Sequence, residues 1–216
     1  MAGKFFLIDT TKCTACRGCQ VACQEWNKLP ATKTKQTGTH QNPPNWNGVT
    51  YRVVRFAEHP AANHYVDWLF LSDACRHCLQ PPCKQEADNL VKDAIVVDKN
   101  GAVIYTEKTK KLAKDFQTIQ DACPWSVPQL DTRTGLLTKC HMCHERVAAG
   151  LLPACVKACP TGALNFGDEA AIKKLAAERL AQAKERYGQG VRILDAGDVR
   201  ALYLVVTELA QYYQSA

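Results

Sequence analysis

The spacing of the cysteines constrains this chain more than any other feature. The 216 residues include 12 cysteines, which occur in groups at positions 13, 16, 19 and 23, at 75, 78 and 83, at 123, and at 140, 143, 155 and 159. A chain of this length can bury a sizeable apolar core without covalent crosslinks, so the cysteines need another role. A composition of 46% hydrophobic and 22% charged residues excludes wholesale disorder.

The first and last groups have the spacing of iron–sulfur ligands. The run C-x2-C-x2-C-x3-C from residue 13 matches that of bacterial ferredoxins, in which three thiolates hold one 4Fe–4S cube and the fourth holds another. The run C-x2-C-x11-C-x3-C-P from residue 140 mirrors it. The fourth cysteine of the first run is expected to start a helix. Two such runs that exchange their fourth cysteines predict two cubes.

The middle group lacks its fourth cysteine, and a corresponding triplet is missing before Cys123. The run C-x2-C-x4-C from residue 75 has Ala87 where a fourth cysteine is expected, and no cysteine triplet precedes Cys123. The missing triplet and the missing fourth cysteine would have held the same cube. We therefore expect one lost site, filled by side chains such as Phe116 and Ile119, and one remaining triplet completed by Cys123.

The twelve cysteines thus divide into three sets of four with no remainder. We predict three 4Fe–4S clusters, whose ligands are Cys13, Cys16, Cys19 and Cys159 for the first, Cys23, Cys140, Cys143 and Cys155 for the second, and Cys75, Cys78, Cys83 and Cys123 for the third. No catalytic residue and no other cofactor site is predicted, because the chain has no G-x-G-x-x-G fingerprint, P-loop or G-x-S-x-G motif.

Disulfides, zinc and haem each fit less of the cysteine pattern. Disulfides suit C-x2-C pairs poorly in a chain without a secretory signal. Zinc could be held by the pairs at 75/78 and 140/143, but zinc needs neither the triplet from residue 13 nor a fourth cysteine before Pro160. The pattern C-x-x-C-H at 140–144 also matches covalent haem attachment, yet haem would leave Cys23, Cys155 and Cys159 without partners. His77, His141 and His144 are expected to be surface or neighbouring groups rather than ligands.

Charge and hydropathy exclude two further classes. The net charge is +6 and the pI about 8.7, short of the value above about 9 that is typical of nucleic-acid binding. Three oxidised cubes of about −2 each would offset this charge, so no nucleic-acid partner is predicted. The longest apolar run, 202–206, is too short to cross a membrane. The N-terminus lacks a signal-peptide core, which predicts either the cytoplasm or export attached to a partner.

Several stretches carry a resemblance to a known family. CTACRGCQVAC, CRHCLQPPC, DACPWSVPQ and KCHMCHERVAAGLLPACVKACPTGALNFGD, together with HQNPPNW at 40–46 and VDWLF at 66–70, resemble the electron-transfer (beta) subunits of molybdopterin oxidoreductases. The likeness extends to the small subunit of soluble tungsten or molybdenum formate dehydrogenases of sulfate-reducing bacteria. Dimethyl sulfoxide, nitrate and polysulfide reductases have beta subunits of the same plan, and a free-standing polyferredoxin is a further alternative. The chain lacks one ligand set of the four-cluster members and the C-terminal transmembrane helix of membrane-bound formate dehydrogenases.

The resemblance implies a function and partners. It implies a non-catalytic subunit that transfers electrons from a larger W/Mo-bis-pterin catalytic subunit to a soluble acceptor such as cytochrome c3. It also implies the periplasm, reached by export of the folded chain with a partner that carries a twin-arginine signal.

The expected fold is α+β, with ferredoxin-like 4Fe–4S modules, long loops and a C-terminal helix. Segments 1–30 and 135–167 are predicted to form a two-cluster module, 66–134 an inserted one-cluster subdomain, 31–65 a connecting loop and strand, and 168–216 a helix and a partner-contacting tail. Asn100-Gly101 predicts a hairpin between strands at 94–98 and 102–106. A strand is also expected at 49–56, a long loop at 30–48, and a helix from Asp168 to Gly188. Segments 191–194 and 201–206 are expected to be closing strands or partner contacts.

The sequence allows two roles for a set of basic side chains and two locations for the tryptophans. Five basic residues lie next to predicted ligands and could raise redox potentials or be ordinary surface groups; these are Arg17, Arg76, Lys84, Lys139 and Lys157. The tryptophans at 26, 46, 68 and 125 are expected in the core or at an interface.

Overall fold

The structure is a computed structural model that describes residues 3–61 and 65–213. Residues 1–2 of segment 1–30, residues 62–64 of segment 31–65 and residues 214–216 of segment 168–216 lie outside the described residues. The strands are β1 Lys4–Asp9, β2 Val53–Pro60, β3 Val66–Asp73, β4 Ile95–Val97, β5 Val103–Tyr105, β6 Gln129–Asp131, β7 Leu136–Thr138, β8 Leu164–Asp168, β9 Arg192–Leu194 and β10 Ala201–Val205. The α-helices are α1 Gly18–Trp26, α2 Pro82–Leu90, α3 Phe116–Asp121, α4 His144–Ala148, α5 Ala154–Lys157 and α6 Glu169–Tyr187.

A four-stranded sheet joins the two ends of the chain. Its strand order is β8-β1-β10-β9, with β1 parallel to β10 and antiparallel to β8. The strands expected as one alternative at 191–194 and 201–206 are confirmed. All five residues of β10 are buried, because the strand lies inside the sheet and is covered on both faces. The segment predicted as a partner-contacting tail therefore contributes a central strand.

The two faces of this sheet pack against different layers. Alternate side chains point to opposite faces of a strand, and Phe5 and Leu7 of β1 pack with Ile172 and Ala176 of α6. Phe6 and Ile8 instead lie in the cluster that includes the buried thiol of Cys19. The sheet thus separates α6 from the layer that carries the cysteines.

Helix α6 confirms the predicted C-terminal helix. Asp168 stands at its N-cap and Gly188, with φ +86°, at its C-cap. The Asp168 side chain makes no capping hydrogen bond and accepts one from Lys4 Nζ at 2.7 Å instead. The helix is therefore joined to β1 at its start as well as along its buried face.

A long antiparallel ribbon, β2–β3, pairs Val53 with Asp73 and Pro60 with Val66. The strand expected at 49–56 begins at Val53 instead and continues to Pro60. The boundary predicted at residue 66 lies at the first residue of β3, so the ribbon joins the connecting segment to the predicted insertion.

Within segment 66–134, short elements surround a second apolar cluster. Strands β4 and β5 form the predicted Asn-Gly hairpin. Ala87, Ile119 and Leu112 are fully buried together, and Phe116 packs against them. Ala87, Phe116 and Ile119, which the sequence analysis associates with the missing ligands, therefore lie together in one cluster.

The segment 30–48 contains no helix or strand. Side chains at the start of α1 form hydrogen bonds with the backbone of this segment. Gln20 donates to the Asn42 carbonyl at 2.9 Å, and Arg17 donates to the His40 carbonyl at 3.1 Å. Trp46 is buried against Val53 and Val127. The loop therefore covers α1 and the ribbon rather than extending away from them.

The fold is a mixture of helices and strands, as the α+β prediction expects. None of the helices within 3–61 and 65–213 combines the length and the hydropathy that a membrane span requires.

Candidate metal centres

Three of the four C-x2-C loops share one backbone geometry. The residue before the second cysteine has a left-handed φ in each of them, 53° at Ala15, 49° at His77 and 63° at Met142. The backbone N–H at that position donates to the sulfur of the first cysteine at 3.4 Å in the second loop and 3.5 Å in the third. A positive φ is uncommon outside glycine, so each of these three positions marks a tight turn between two cysteines.

The first set combines three thiols from the N-terminal part of the chain with one from the C-terminal part. Cys13 follows a 3₁₀ turn, Cys19 is on α1 and Cys159 follows α5. These three and Cys16 line one cavity beneath β1 and β8. The Cys19 sulfur lies 3.1 Å from the Ser72 hydroxyl of β3, and the Cys159 sulfur accepts from a backbone N–H at 3.4 Å. Cys16 is exposed, so this cavity reaches the surface.

The second set is the most deeply buried. Cys23, Cys140, Cys143 and Cys155 are all buried and line a second cavity. Helix α1 already begins at Gly18, so Cys23 does not start a helix as expected but lies one turn after Cys19. One helix thereby supplies a thiol to each of two neighbouring cavities.

The third set occupies segment 66–134. Cys75 and Cys78 follow β3, Cys83 is on α2 and Cys123 follows α3. Cys83 is buried and the other three are partly exposed. These four thiols interact electrostatically with one another, and the pKa of Cys78 is raised to about 12 by burial and then by its three neighbours. The structure therefore brings each predicted set of four together.

Burial is the main reason that these thiols resist ionisation in the isolated chain. The pKa of Cys13 is raised to about 11 and that of Cys155 to about 12, mainly by burial. Neighbouring thiolates contribute to both increases, while a backbone hydrogen bond from Ala15 opposes the first and the charge of Arg52 opposes the second. All twelve cysteines are free. If four such thiols ionise at one place, the buried negative charges need a compensating cationic centre. A soft metal, which prefers sulfur ligands, supplies that charge.

The five basic residues next to predicted ligands have different surroundings. Arg76 is buried and paired with Asp73, and Lys84 pairs with Asp88 near the surface. Lys157 is exposed. Lys139 is buried, and its Nζ donates to the carbonyls of Val103 at 2.6 Å and Cys140 at 3.0 Å. Arg17 donates to the carbonyl of His40 in the loop. Only Lys139 of the five is a buried cation without a carboxylate partner in the described part of the chain.

Arg52 is a neighbour of the thiols that the sequence does not reveal. It is 3% exposed and lines the cavity of the second set. Burial alone would lower its pKa, but the thiolates of Cys155 and Cys19 hold that pKa well above its ordinary value. Arg52 lies far from every cysteine in the sequence, and the pairing of β2 with β3 brings it to Ser72. No local motif signals this position.

His141 and His144 lie beside the second set of thiols. His141 Nε2 lies 2.6 Å from Asn27 Oδ1, and His144 Nε2 lies 3.1 Å from a carboxylate oxygen of Glu145. Cys140 and Cys143 face Cys23 and Cys155 in one cavity, which fits a four-thiol centre better than attachment of haem. Of the tryptophans, Trp46 is buried, while Trp26 and Trp68 are about half exposed.

The mixed α/β fold, the tight C-x2-C loops and the grouped free thiols together define an iron–sulfur protein. Residues 66–169 match a family described as a 4Fe-4S dicluster domain. This match contains eight of the twelve cysteines.

Comparison with characterised proteins narrows this class. The chain is 48% identical over 215 residues to formate dehydrogenase 2 subunit beta (cytochrome c-553) of Nitratidesulfovibrio vulgaris, covering 99% of this chain and 98% of the relative. It is 46% identical over 214 residues to formate dehydrogenase subunit beta of Megalodesulfovibrio gigas, with 99% and 98% covered. The formate dehydrogenase-O iron-sulfur subunit of Escherichia coli is 35% identical over 207 residues, with 92% and 64% covered.

The chain therefore belongs to the family of formate dehydrogenase beta (iron–sulfur) subunits. It is an electron-transfer subunit and not the catalytic one, as the resemblance implied.

Proposed function

We propose that this subunit relays electrons through three 4Fe–4S clusters, from a larger W/Mo-bis-pterin catalytic subunit to a soluble cytochrome such as cytochrome c3. The observation that supports this most strongly is the gathering of twelve free thiols into three neighbouring groups of four. When bound, a 4Fe–4S cluster supplies one-electron redox chemistry with potentials tuned by hydrogen bonds, burial and charge.

The proposed ligands are the three sets predicted from the sequence: Cys13, Cys16, Cys19 and Cys159, then Cys23, Cys140, Cys143 and Cys155, then Cys75, Cys78, Cys83 and Cys123. The protein's part is to hold the thiols, exclude water and donate hydrogen bonds to sulfur, as the N–H groups of His77 and Met142 do.

The second set is proposed as the middle of the relay. Its Cys155 thiol interacts electrostatically with Cys19 of the first set, and its Cys140 thiol with Cys75 of the third. The first set reaches the surface at Cys16, and the third set has three partly exposed cysteines. Electrons would therefore enter and leave at the first and third sets and cross the buried second set.

We further propose two units within the chain. The terminal module consists of residues 1–30 and 135–167 and holds two clusters, and the insertion consists of residues 66–134 and holds one. Residues 31–65 connect them, and 168–216 complete the sheet of the terminal module through β9 and β10.

The acceptor is proposed from the name of one relative, and the compartment from the resemblance noted in the sequence. The name of the Nitratidesulfovibrio vulgaris protein includes cytochrome c-553, which supports a cytochrome acceptor. We propose the periplasm, with export alongside a catalytic subunit that carries the signal.

Metal analysis of the purified complex tests the number and the ligands of the clusters. We expect about twelve irons and twelve acid-labile sulfides per beta chain, with little zinc. Cys123→Ser should remove about one third of the iron and one set of electron paramagnetic resonance signals, and Cys159→Ser a different set. If both variants lose the same signals, or if zinc replaces iron, the proposed ligand sets fail.

Co-purification tests the partner. A tagged chain expressed in its native host should carry a larger pterin-containing subunit with formate dehydrogenase activity. A chain that purifies alone with its full complement of iron would instead indicate a free-standing polyferredoxin.

A further inference from the structure

Two buried cations lie between the thiol sets without an anionic partner. Arg52 is 3% exposed and Lys139 is 5% exposed. Across residues 3–61 and 65–213, neither forms an ion pair with a carboxylate, in contrast to the buried Arg55 and Arg76, which share Asp73. Burying an unpaired charge is costly, so both positions require negative charge that the carboxylates do not supply.

Arg52 lies beside the second set and is linked to the first set through the Ser72 hydroxyl. Its guanidinium donates to the Ser72 hydroxyl at 2.9 Å, and that oxygen lies 3.1 Å from the sulfur of Cys19. The same side chain lines the cavity of the second set. Its Nε has no hydrogen-bond partner in the described residues. The thiolates that its charge favours belong to these two sets, namely Cys19, Cys23, Cys140, Cys143 and Cys155.

Lys139 occupies the corresponding place between the second and the third set. Its Nζ donates to the carbonyl of Cys140 at 3.0 Å and lies 4.8 Å from the centre of the Tyr105 ring. The Tyr105 hydroxyl is buried beside Cys83 of the third set. The thiolates that its charge favours are Cys83, Cys123 and Cys140.

We infer that Arg52 and Lys139 are fixed positive charges that stabilise the reduced states of the centres on either side of them. The inference rests on the proposed function. Reduction of a centre adds one electron, supplied by formate oxidation in the catalytic subunit, and breaks no bond. The added negative charge is attracted to a nearby cation more strongly in a buried, low-dielectric region than at the surface. Because the second centre neighbours both cations, it gains from both.

The test is a potentiometric titration of the purified complex, monitored by electron paramagnetic resonance, with Arg52→Gln and Lys139→Met. Arg52→Gln should weaken one-electron reduction of the first and second centres about tenfold, which corresponds to about 59 mV, and leave the third unchanged. Lys139→Met should affect the second and third and leave the first unchanged. The signals lost in Cys123→Ser and Cys159→Ser assign the third and the first centre.

Matched controls separate charge from shape. Lys157→Met removes an equal charge from an exposed position two residues from Cys155 and Cys159, and should shift no centre measurably. Arg52→Lys and Lys139→Arg should keep the iron and the wild-type potentials. Loss of iron in Arg52→Gln or Lys139→Met alone would also support a need for the charge.

The inference is overturned if neither charge-removing variant shifts a potential, if Lys157→Met shifts potentials equally, or if the charge-conserving variants also lose iron or shift. A wild-type complex without three centres would refute the proposed function itself, and this is measured before any variant. The two failures are therefore distinguishable.

Discussion

The terminal module and the insertion hold cysteines in the same kind of loop but differ in what surrounds them. In the terminal module, thiols from both ends of the chain line two adjoining cavities, and Cys19 and Cys155 belong to the apolar cluster itself. In the insertion, Cys83 likewise belongs to an apolar cluster, and that cluster also contains Ala87, Leu112 and Ile119, all of them fully buried. The terminal module therefore contains two sets of four thiols, and the insertion contains one set together with this apolar cluster.

This difference has an energetic consequence. Binding of a structural metal contributes directly to folding free energy, because the unfolded chain has no preformed site. An apolar core stabilises its unit without metal. The terminal module should therefore depend on its iron more than the part of the insertion around Ile119 does.

Removal of iron should give the largest difference between the terminal module and the insertion. When iron is chelated from the reduced complex, we expect amide hydrogen exchange in 13–23 and 140–159 to accelerate by about 100-fold or more, since these segments lose the centre that holds them. Exchange in β4, β5 and α3 should change by less than about tenfold. Mass spectrometry of peptides from both regions measures this, and equal acceleration in the two would contradict the comparison.

The sequence predicts the thiol groups better than it predicts their surroundings. The triplets follow from spacing, because short C-x2-C loops bring thiols together locally, and the distant fourth cysteine of the first two sets follows from the ferredoxin pattern of exchanged ligands. The hairpin at Asn100-Gly101 and the helix between Asp168 and Gly188 are confirmed for the same reason, since each is determined by residues close in sequence.

Distant pairings that involve no cysteine are not predicted by the sequence. The parallel pairing of β1 with β10 joins residues near opposite ends of the chain, and no local pattern specifies it. Arg52 approaches Cys19 only because β2 pairs with β3 in a particular register. Ala87 predicts the lost centre but not the burial of Leu112 beside it, because the 3₁₀ segment that carries Leu112 has no clear signal.

Ile119→Ala tests the apolar half of the comparison. Ile119 is fully buried among Ala87, Leu112 and Leu137, and its truncation should destabilise the insertion by about 2–5 kcal/mol. Urea denaturation followed by exchange of insertion peptides measures the loss. Leu90→Ala, at a 47% exposed position of α2, is the matched control and should change stability by less than about 0.5 kcal/mol. A loss of iron from the first two centres would show that the regions are not independent.

Ala87→Cys asks whether the lost centre can be restored by one ligand. Ala87 is fully buried and no cysteine triplet faces it in the described chain. We expect no additional iron and, since a sulfur atom is added to a packed core, destabilisation by about 1–3 kcal/mol. Asn89→Cys, on the exposed side of α2, should add neither iron nor strain. Any gain of iron in Ala87→Cys would mean that the apolar cluster still allows assembly of a centre.

Glu169→Gln, at the start of α6, should have the smallest effect on stability. A hydrogen bond from Lys173 Nζ, 2.6 Å from the Glu169 carboxylate, holds the pKa of Glu169 below its ordinary value of 4.5. A carboxyl whose folded pKa is lowered stabilises the protein above its unfolded pKa, and this stability is lost as the pH falls through the folded pKa. Because the pair is solvent-exposed, the variant should lose only about 0.2–0.5 kcal/mol. Denaturation of both proteins should give a constant difference between about pH 5.5 and 8, with iron content unchanged. A difference that varies across this range, or that is accompanied by loss of iron, would show that α6 is coupled to the thiol layer through the sheet.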